Sequence, residues 1–233
     1  MSLYHLKMRL KRNKLIKGVY DRLIGDRKDR AAQKFKQDAL ATDGSTILQK
    51  VETALGGTEL KYFLTFGNLL GLVRAGRFMS YDCDLDYAVE VDDNFSWEAF
   101  EQLLAEQGLR KTHQFTIDGN IQEQTYRLGN LTVDFFGYHT VGDETIWNIF
   151  FRKDGYIYDS MYDVHIRESH FAAVGDVCKK AYDGMEVTVL AEPEAFLASV
   201  YGEGWRVPDP NWVPVEGDKR IVLDKIAKKC VFE

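Results

Sequence analysis

The sequence predicts an α+β fold in which one mixed β-sheet is flanked by helices. Three observations carry this. Over residues 45–107, strand-length apolar runs alternate with stretches of helical periodicity. Residues 109–138 then read as consecutive strands, parted at Asp118-Gly119-Asn120 and Gly129-Asn130, both hairpin signals. Helical signals return after Pro193. A chain of 233 residues, 45% hydrophobic and 28% charged, is an ordinary globular composition and long enough to bury a sizeable core.

Taken in order, residues 3–24 read as a basic amphipathic helix. Leu3, Leu6, Leu10, Leu15, Val19 and Leu23 recur at roughly helical spacing, interleaved with Lys7, Arg9, Lys11, Arg12, Lys14 and Lys17. A helix follows at 45–55, with Ser45 as its N-cap and Ile47, Leu48, Val51 and Leu55 facing inward. After Gly56-Gly57, Tyr62–Phe66 reads as a strand, Gly67-Asn68 as a turn, 69–76 as a short helix and 85–91 as a second strand. Ser96 caps a helix that runs to Gln107 and stops at Gly108. Strands are expected at 109–117, 121–128, 130–138, 145–151, 156–159, 171–174 and 185–190. Pro193 starts a helix over 193–201, ended by Gly202, and a last helix is expected over 218–229.

The net charge of −6 conceals an asymmetry. Residues 1–30 hold ten Lys/Arg and three Asp, a net of +7, so the remainder carries −13. The organisation expected is therefore a basic amphipathic arm, 1–30, and a folded body, 31–233. An acidic body argues against nucleic acid as the main partner. The arm suits an anionic membrane face, or packing against protein. Cys83, Cys178 and Cys230 form no CxxC pair and no disulfide framework, which points to a reducing, cytoplasmic setting. No apolar run is long enough to span a bilayer and no signal peptide is visible.

The chemistry concentrates in FGNLLGLVRAGRFMSYDCDLDYAVEV, residues 66–91. Asp82, Asp84 and Asp86 occupy every second position and lead into an apolar strand. Residues two apart on a strand share a face, so Asp84 and Asp86 project together while Leu85, Tyr87 and Val89 pack on the other side. Paired carboxylates suit Mg²⁺, which takes one or two of them and completes its shell with substrate phosphate oxygens; Mn²⁺ fits the same ligands. Asp134 is the lone charge in the apolar run 131–138, and a sheet could set it beside that pair. Gly67-Asn68, between a strand and a helix, offers free backbone N–H groups to a phosphate. Arg74 is a candidate diphosphate clamp, since a guanidinium binds phosphate bidentately. The alternatives are a solvated aspartate turn or a calcium loop, and Tyr87 at the sixth position, where such a loop needs Gly, speaks against calcium.

The order strand, Gly-polar, short helix, Asp-x-Asp strand, later lone Asp resembles the nucleotidyltransferase superfamily of the DNA polymerase beta type. Within it the chain is most similar to the LicD/fukutin family. The likeness rests on Gly67-Asn68-Leu69-Leu70-Gly71-Leu72-Val73-Arg74, Phe78, and Asp82, Asp84 and Asp86. A second block comprises Pro193, Phe196, Leu197, Tyr201-Gly202, Trp205 and Pro208, and the two cover about residues 60–210. Asn68 stands where the family usually has a small hydroxyl residue, and Cys83 where it often has an acid. The resemblance implies a polymerase beta-like nucleotidyltransferase fold over 31–233 and metal-dependent transfer of a phospho-substituent, such as phosphocholine or ribitol phosphate, from a CDP-linked donor to a hydroxyl of a cell-surface glycan, lipid-linked or not. It implies catalytic roles for Asp84, Asp86 and Asp134, donor contacts from Gly67, Asn68 and Arg74, and a metal held by Asp82, Asp84, Asp86 and Asp134. The alternatives are transfer of NMP from an NTP to a small molecule or protein, and a non-catalytic nucleotide- or glycan-binding module. Tyr201, Trp205 and Trp212 are candidates for lining a cytosine or sugar pocket, and His165 and His170 for touching substrate. The transferred group and the acceptor are not legible.

Overall fold

The computed structural model describes residues 26–209, 212–214 and 219–232; for 26–30 it describes the backbone alone. The basic arm over 1–25 therefore lies outside the described residues. Four helices and ten strands follow in the order α1 (Asp26–Leu55), β1 (Tyr62–Leu64), α2 (Phe66–Ala75), β2 (Leu85–Glu90), α3 (Trp97–Glu106), β3 (Arg110–Ile117), β4 (Asn120–Leu128), β5 (Leu131–Val141), β6 (Glu144–Phe151), β7 (Asp163–Ala172), β8 (Val177–Tyr182), β9 (Met185–Leu190), α4 (Glu194–Tyr201) and β10 (Arg220–Val231).

Eight strands form one sheet in the order β1-β2-β5-β4-β3-β10-β7-β6, and β6 also pairs with β5. That pairing closes β5, β4, β3, β10, β7 and β6 into a six-stranded barrel, with β1 and β2 as an open flap on β5. The sheet is mixed as expected, since β2 runs parallel to β5 while the other pairs are antiparallel. It is not the open sheet that a polymerase beta-like fold implies. Closure has local causes. β5 is long enough to pair with β2 and β4 along Leu131–Tyr138 and with β6 along Tyr138–Val141. Register shifts in β3 and between Val222 and Ile226 of β10 let the strands coil.

The main core packs Ile47, Leu48, Val51 and Leu55 of α1 and Leu69 and Leu72 of α2 onto the sheet. Aromatic rings tie its layers together: Phe63 meets Tyr138, Trp147 and Phe196 at centroid distances of 5.9, 6.3 and 6.0 Å. Each such buried ring contributes roughly 2–3 kcal/mol. A smaller cluster joins Val164, Ile166 and Ala227 with Phe115 and Phe150, whose rings stack at 4.7 Å.

Several expectations are corrected. The helix expected at 45–55 begins at Asp26, so Ser45 sits mid-helix and its hydroxyl donates to the Asp183 carboxylate instead of capping. Ala, Gln and Lys in 31–41 are good helix formers, which explains the extension. Tyr62–Phe66 is a strand only to Leu64, and Phe66 opens α2. Residues 156–159 form no strand; Tyr158 is buried there, its hydroxyl accepting from Lys153 N at 2.7 Å. The strand expected at 171–174 ends at Ala172 and starts at Asp163, and β8 had not been foreseen. The last helix is instead β10, because β3 and β7 each present an edge that only this segment can pair. The helix capped by Ser96 is present, with Ser96 Oγ accepting from Ala99 N at 3.3 Å.

Candidate active site

The turn from β1 into α2 builds one wall of the site. Phe66 carries φ +43°, a left-handed conformation costly for a bulky residue. Its ring is held against Phe136 at 5.2 Å and Trp147 at 5.4 Å, and that packing offsets the cost. Leu69 is the residue whose amide first reaches back to Thr65, at 3.1 Å, so the first-turn amides of α2 point out of its N-terminus. Thr65 Oγ1 is fully buried without a hydrogen-bond partner among the described residues.

Asn68 does something the sequence did not reveal. Its Oδ1 accepts from Asp86 N at 2.7 Å and its Nδ2 donates to Asp84 O at 3.3 Å. The side chain thus acts like a neighbouring strand and locks the backbone of Asp84–Asp86. One proton of Nδ2 is engaged in this way, and the second is left for the expected contact with a donor phosphate. Gly67 and Gly71 are glycines for reasons of space. A Cβ on Gly67 would come 3.2 Å from Asp82 Oδ1, and one on Gly71 would come 2.7 Å from the Arg77 carbonyl. The close approach at Gly71 folds the 77–79 segment back on α2, and Asp82 Oδ2 closes the loop by accepting from Met79 N at 2.8 Å.

The sheet brings the predicted acids together. Asp86 on β2 and Asp134 on β5 are direct partners in the parallel register. Carboxylate oxygens of Asp84, Asp86 and Asp134 all lie within 4.8 Å of one another. Burial raises the Asp86 carboxyl well above the usual range, and the charges of Asp84, Asp134 and Asp82 add to it. Burial likewise pushes Asp134 up to about 6, opposed by a 2.6 Å hydrogen bond from Thr125 Oγ1. Lys36 of α1 offsets part of this repulsion at both residues. Asp82 stands outside the three-carboxylate group; burial pushes it up to about 6, against its bond from Met79 N. Cys83 lies beside the Asp84 carboxylate, because β2 starts only at Leu85 and its alternation does not reach back to 83.

Beside the acids opens a cavity of about 820 Å³, lined among others by Gly67, Arg74, Asp82, Tyr201, Trp205 and Trp212. It is large enough for a nucleotide-sized ligand. Tyr201 links the two regions: burial raises its hydroxyl pKa, and the charges of Asp86 and Asp82 add to that. Arg74 reaches the cavity wall, but its guanidinium donates to the carbonyls of Trp205 and Val207. It therefore fastens the segment after α4 across the cavity. His165 and His170 lie elsewhere. His165 Nδ1 is 2.6 Å from the Tyr158 hydroxyl, and the His170 ring sits between Glu144 and Glu168 at 3.1 Å from each.

Sequence reasoning missed Thr125, and Glu123 beside it. Glu123 is a buried carboxyl on β4, raised well above the usual range by burial and by the charges of Asp134 and Asp86. The polar Gln-Glu-Gln-Thr run at 122–125 was the available signal, yet nothing local says which of these residues turn toward the acids.

A family model described as LicD/FKTN/FKRP, nucleotidyltransferase domain, matches residues 59–173. The match spans the Gly67–Arg74 block, all three clustered aspartates and Thr125, and it stops before the block at 193–208. Among curated proteins nothing matches the chain. Among solved structures, ANT(2")-Ia in complex with adenylyl-2"-tobramycin is similar at 14% identity and a TM-score of 0.43, over 74% of this chain and 82% of that one.

Proposed function

We propose that the protein transfers a phosphorus-bearing group from a nucleotide donor to an acceptor hydroxyl at Asp84, Asp86 and Asp134, a reading supported by the match of residues 59–173 to the LicD/FKTN/FKRP nucleotidyltransferase domain. The observation that carries this reading is the acid cluster itself. Three half-buried carboxylates converge within 4.8 Å; Thr125 Oγ1 donates a hydrogen bond to Asp134, and the Cys83 thiol meets Asp84. Such mutual repulsion is costly unless a cation offsets it. Oxygen-only ligands at this spacing fit Mg²⁺ or Mn²⁺. Bound there, a divalent ion would neutralise charge on the donor phosphates and on the leaving group.

The chain's own residues do the rest. The first-turn amides of α2, at Gly67, receive a donor phosphate. Asn68 keeps the Asp84–Asp86 backbone rigid. The aromatic walls of the cavity exclude water and hold a base or sugar ring. Asp134 accepts the acceptor hydroxyl's proton as the new P–O bond forms and the bond to the leaving group breaks, and it passes that proton to solvent. Arg74 holds the cavity wall through Nε and Nη2 and offers Nη1 to a donor phosphate. Asp82 shapes the loop at the cavity edge through its bond from Met79 N and would be a further carboxylate for a bound metal.

Two donors fit this scheme. With an NTP, NMP moves to the hydroxyl and pyrophosphate leaves, as the family's description suggests. With a CDP-linked donor, the substituted phosphate moves to a glycan hydroxyl and CMP leaves; the Gly67–Asp86 block, with its likeness to the phosphocholine and ribitol phosphate transferases, favours this form. A cytoplasmic enzyme with residues 1–30 on an anionic membrane surface would meet a lipid-linked glycan there. No helix among the described residues is long and apolar enough to cross a membrane. Thermal shifts with CDP, CTP, ATP and GTP, each with and without Mg²⁺, test the reading on the wild type and on Asp84→Asn. A ligand at a hundred times its Kd stabilises by about 2.7 kcal/mol. A metal-dependent shift with CDP or CTP, absent in the variant, supports the CDP-linked form; one confined to ATP or GTP supports nucleotidyl transfer. No shift with any nucleotide sinks both and leaves a non-catalytic binding module.

A further inference from the structure

One row of side chains runs across four neighbouring strands. His113 on β3 stands opposite Thr125 on β4, Thr125 opposite Asp134 on β5, and Asp134 opposite Asp86 on β2. Hydrogen bonds join the first three. Thr125 Oγ1 donates to Asp134 Oδ1 at 2.6 Å, His113 Nε2 lies 3.0 Å from the same Oγ1, and Thr112 Oγ1 lies 3.1 Å from His113 Nδ1. Thr125 is buried. Resting on the metal-site reading above, we propose that His113, acting through Thr125, is a positioning residue for Asp134: it aims the Thr125 hydroxyl at Oδ1, so that Oδ2 is presented to the divalent ion.

The direction of the chain follows from counting protons. A threonine hydroxyl has one proton, and an ionised carboxylate can only accept. The short bond to Asp134 therefore uses that proton. Thr125 Oγ1 is then left to accept from His113, so Nε2 carries the imidazole proton. Burial, with Lys229 and Arg127 nearby, pushes His113 down to about 4, so near neutral pH the ring is uncharged with a single N–H. Nδ1 is left as an acceptor for the Thr112 hydroxyl, whose one proton can turn either to Nδ1 or to Thr125 O, 3.3 Å away. The arrangement is an uncharged one-way chain that ends on a carboxylate oxygen. Such outer partners fix ligand orientation, and their loss costs about 10–100-fold in metal affinity.

The test needs no knowledge of the substrate. Ring ¹⁵N chemical shifts of His113 in the labelled wild type report the tautomer, and Nε2–H is expected. Mn²⁺ affinity is then measured by EPR titration. Thr125→Val keeps the shape and loses the hydroxyl, and His113→Leu removes the donor; each is expected to bind Mn²⁺ about 10–100-fold more weakly. Thr125→Ser, and His113→Gln with its amide near the place of Nε2, are expected to stay within a few-fold of wild type. A role in packing alone would invert that pattern, with Val tolerated and Ser harmful. An Nδ1–H tautomer overturns the proposal, as does wild-type Mn²⁺ affinity in Thr125→Val. If Thr125→Val does not fold, the tautomer and Thr125→Ser decide. No Mn²⁺ binding by the wild type overturns the metal site and this inference together. Binding by the wild type and by Thr125→Val, but not by Asp134→Asn, overturns the inference alone.

Discussion

Two groups of buried carboxylates in this molecule are handled in opposite ways. Glu52, on α1, is surrounded by donors. Lys179 Nζ and the Tyr62 hydroxyl reach its Oε2 at 2.5 and 2.8 Å, Thr188 Oγ1 reaches the same oxygen at 2.7 Å, and Thr188 N reaches Oε1 at 2.9 Å. It joins α1, β1, β8 and β9. Asp84, Asp86 and Asp134 face one another instead, and the cation nearest to Asp86 and Asp134 in effect is the exposed Lys36. A carboxylate that holds a fold together is fully paired. One kept for chemistry is left short of partners, and the fold bears the cost until a ligand arrives.

Substitution should split the two groups. The largest effect is expected from Asp86→Asn: transfer activity should fall by at least about 10²–10³-fold, the scale of losing one electrostatic stabiliser. The variant's metal-free protein should at the same time melt no lower than the wild type, because a buried repulsion is gone. A large loss of stability in that variant would break the comparison. Glu52→Ala should do the reverse. Urea unfolding should show a loss of about 3 kcal/mol, since a buried hydrogen-bonded group loses its partners. Metal-dependent thermal shifts of the molecules that still fold should persist.

Asn68→Ala probes the link between fold and site. Removing both bonds to the Asp84–Asp86 backbone should cost about 1–2 kcal/mol in urea and weaken Mn²⁺ binding as well. Loss of stability with unchanged metal affinity would show that the amide only holds the fold. The smallest effect concerns pH. Asp82 and Asp134 are both raised to about 6 in the folded protein. The folded state therefore binds more protons than the unfolded chain between the ordinary aspartate range and about 6, and metal-free stability should fall as pH rises through that window. The change expected is on the order of 1 kcal/mol once solvent screening is allowed for. Melting temperatures at pH 4.5 to 7.5 in EDTA, repeated with Mg²⁺, should show the slope and its removal by the ion.

The alternation over residues 62–107 was readable because its causes are local. Gly76 takes a left-handed φ of 67° to end α2, and Ser96 caps α3, whereas Gly67-Asn68, expected as a turn, lies in the first turn of α2. Asp84 and Asp86 were readable as a pair from their spacing, although β2 begins only at Leu85 and Asp84 stands just before it. Asp134 was found as a lone charge in an apolar run. Its pairing opposite Asp86 depends on a parallel contact between strands separated by more than 40 residues. β10 was misread as a helix for the same kind of reason: its residues suit either state, and two waiting strand edges decide between them. Arg74 was legible as a cation beside the motif, but not as one that turns its Nε and Nη2 to the carbonyls of Trp205 and Val207.

The sequence by itself therefore determined the acids, the glycine at the strand-to-helix junction and the family likeness, because each is a matter of residue type and short spacing. Only the tertiary structure decided three further things. It set Asp86 against Asp134, where burial and the charge of Asp84 raise both. It turned an expected open sheet into a six-stranded barrel through the β5–β6 contact. It also threaded His113 and Thr125 into the row that ends on Asp134. Each depends on which strands become neighbours, and that is set by the summed burial of the whole chain rather than by any one stretch of it.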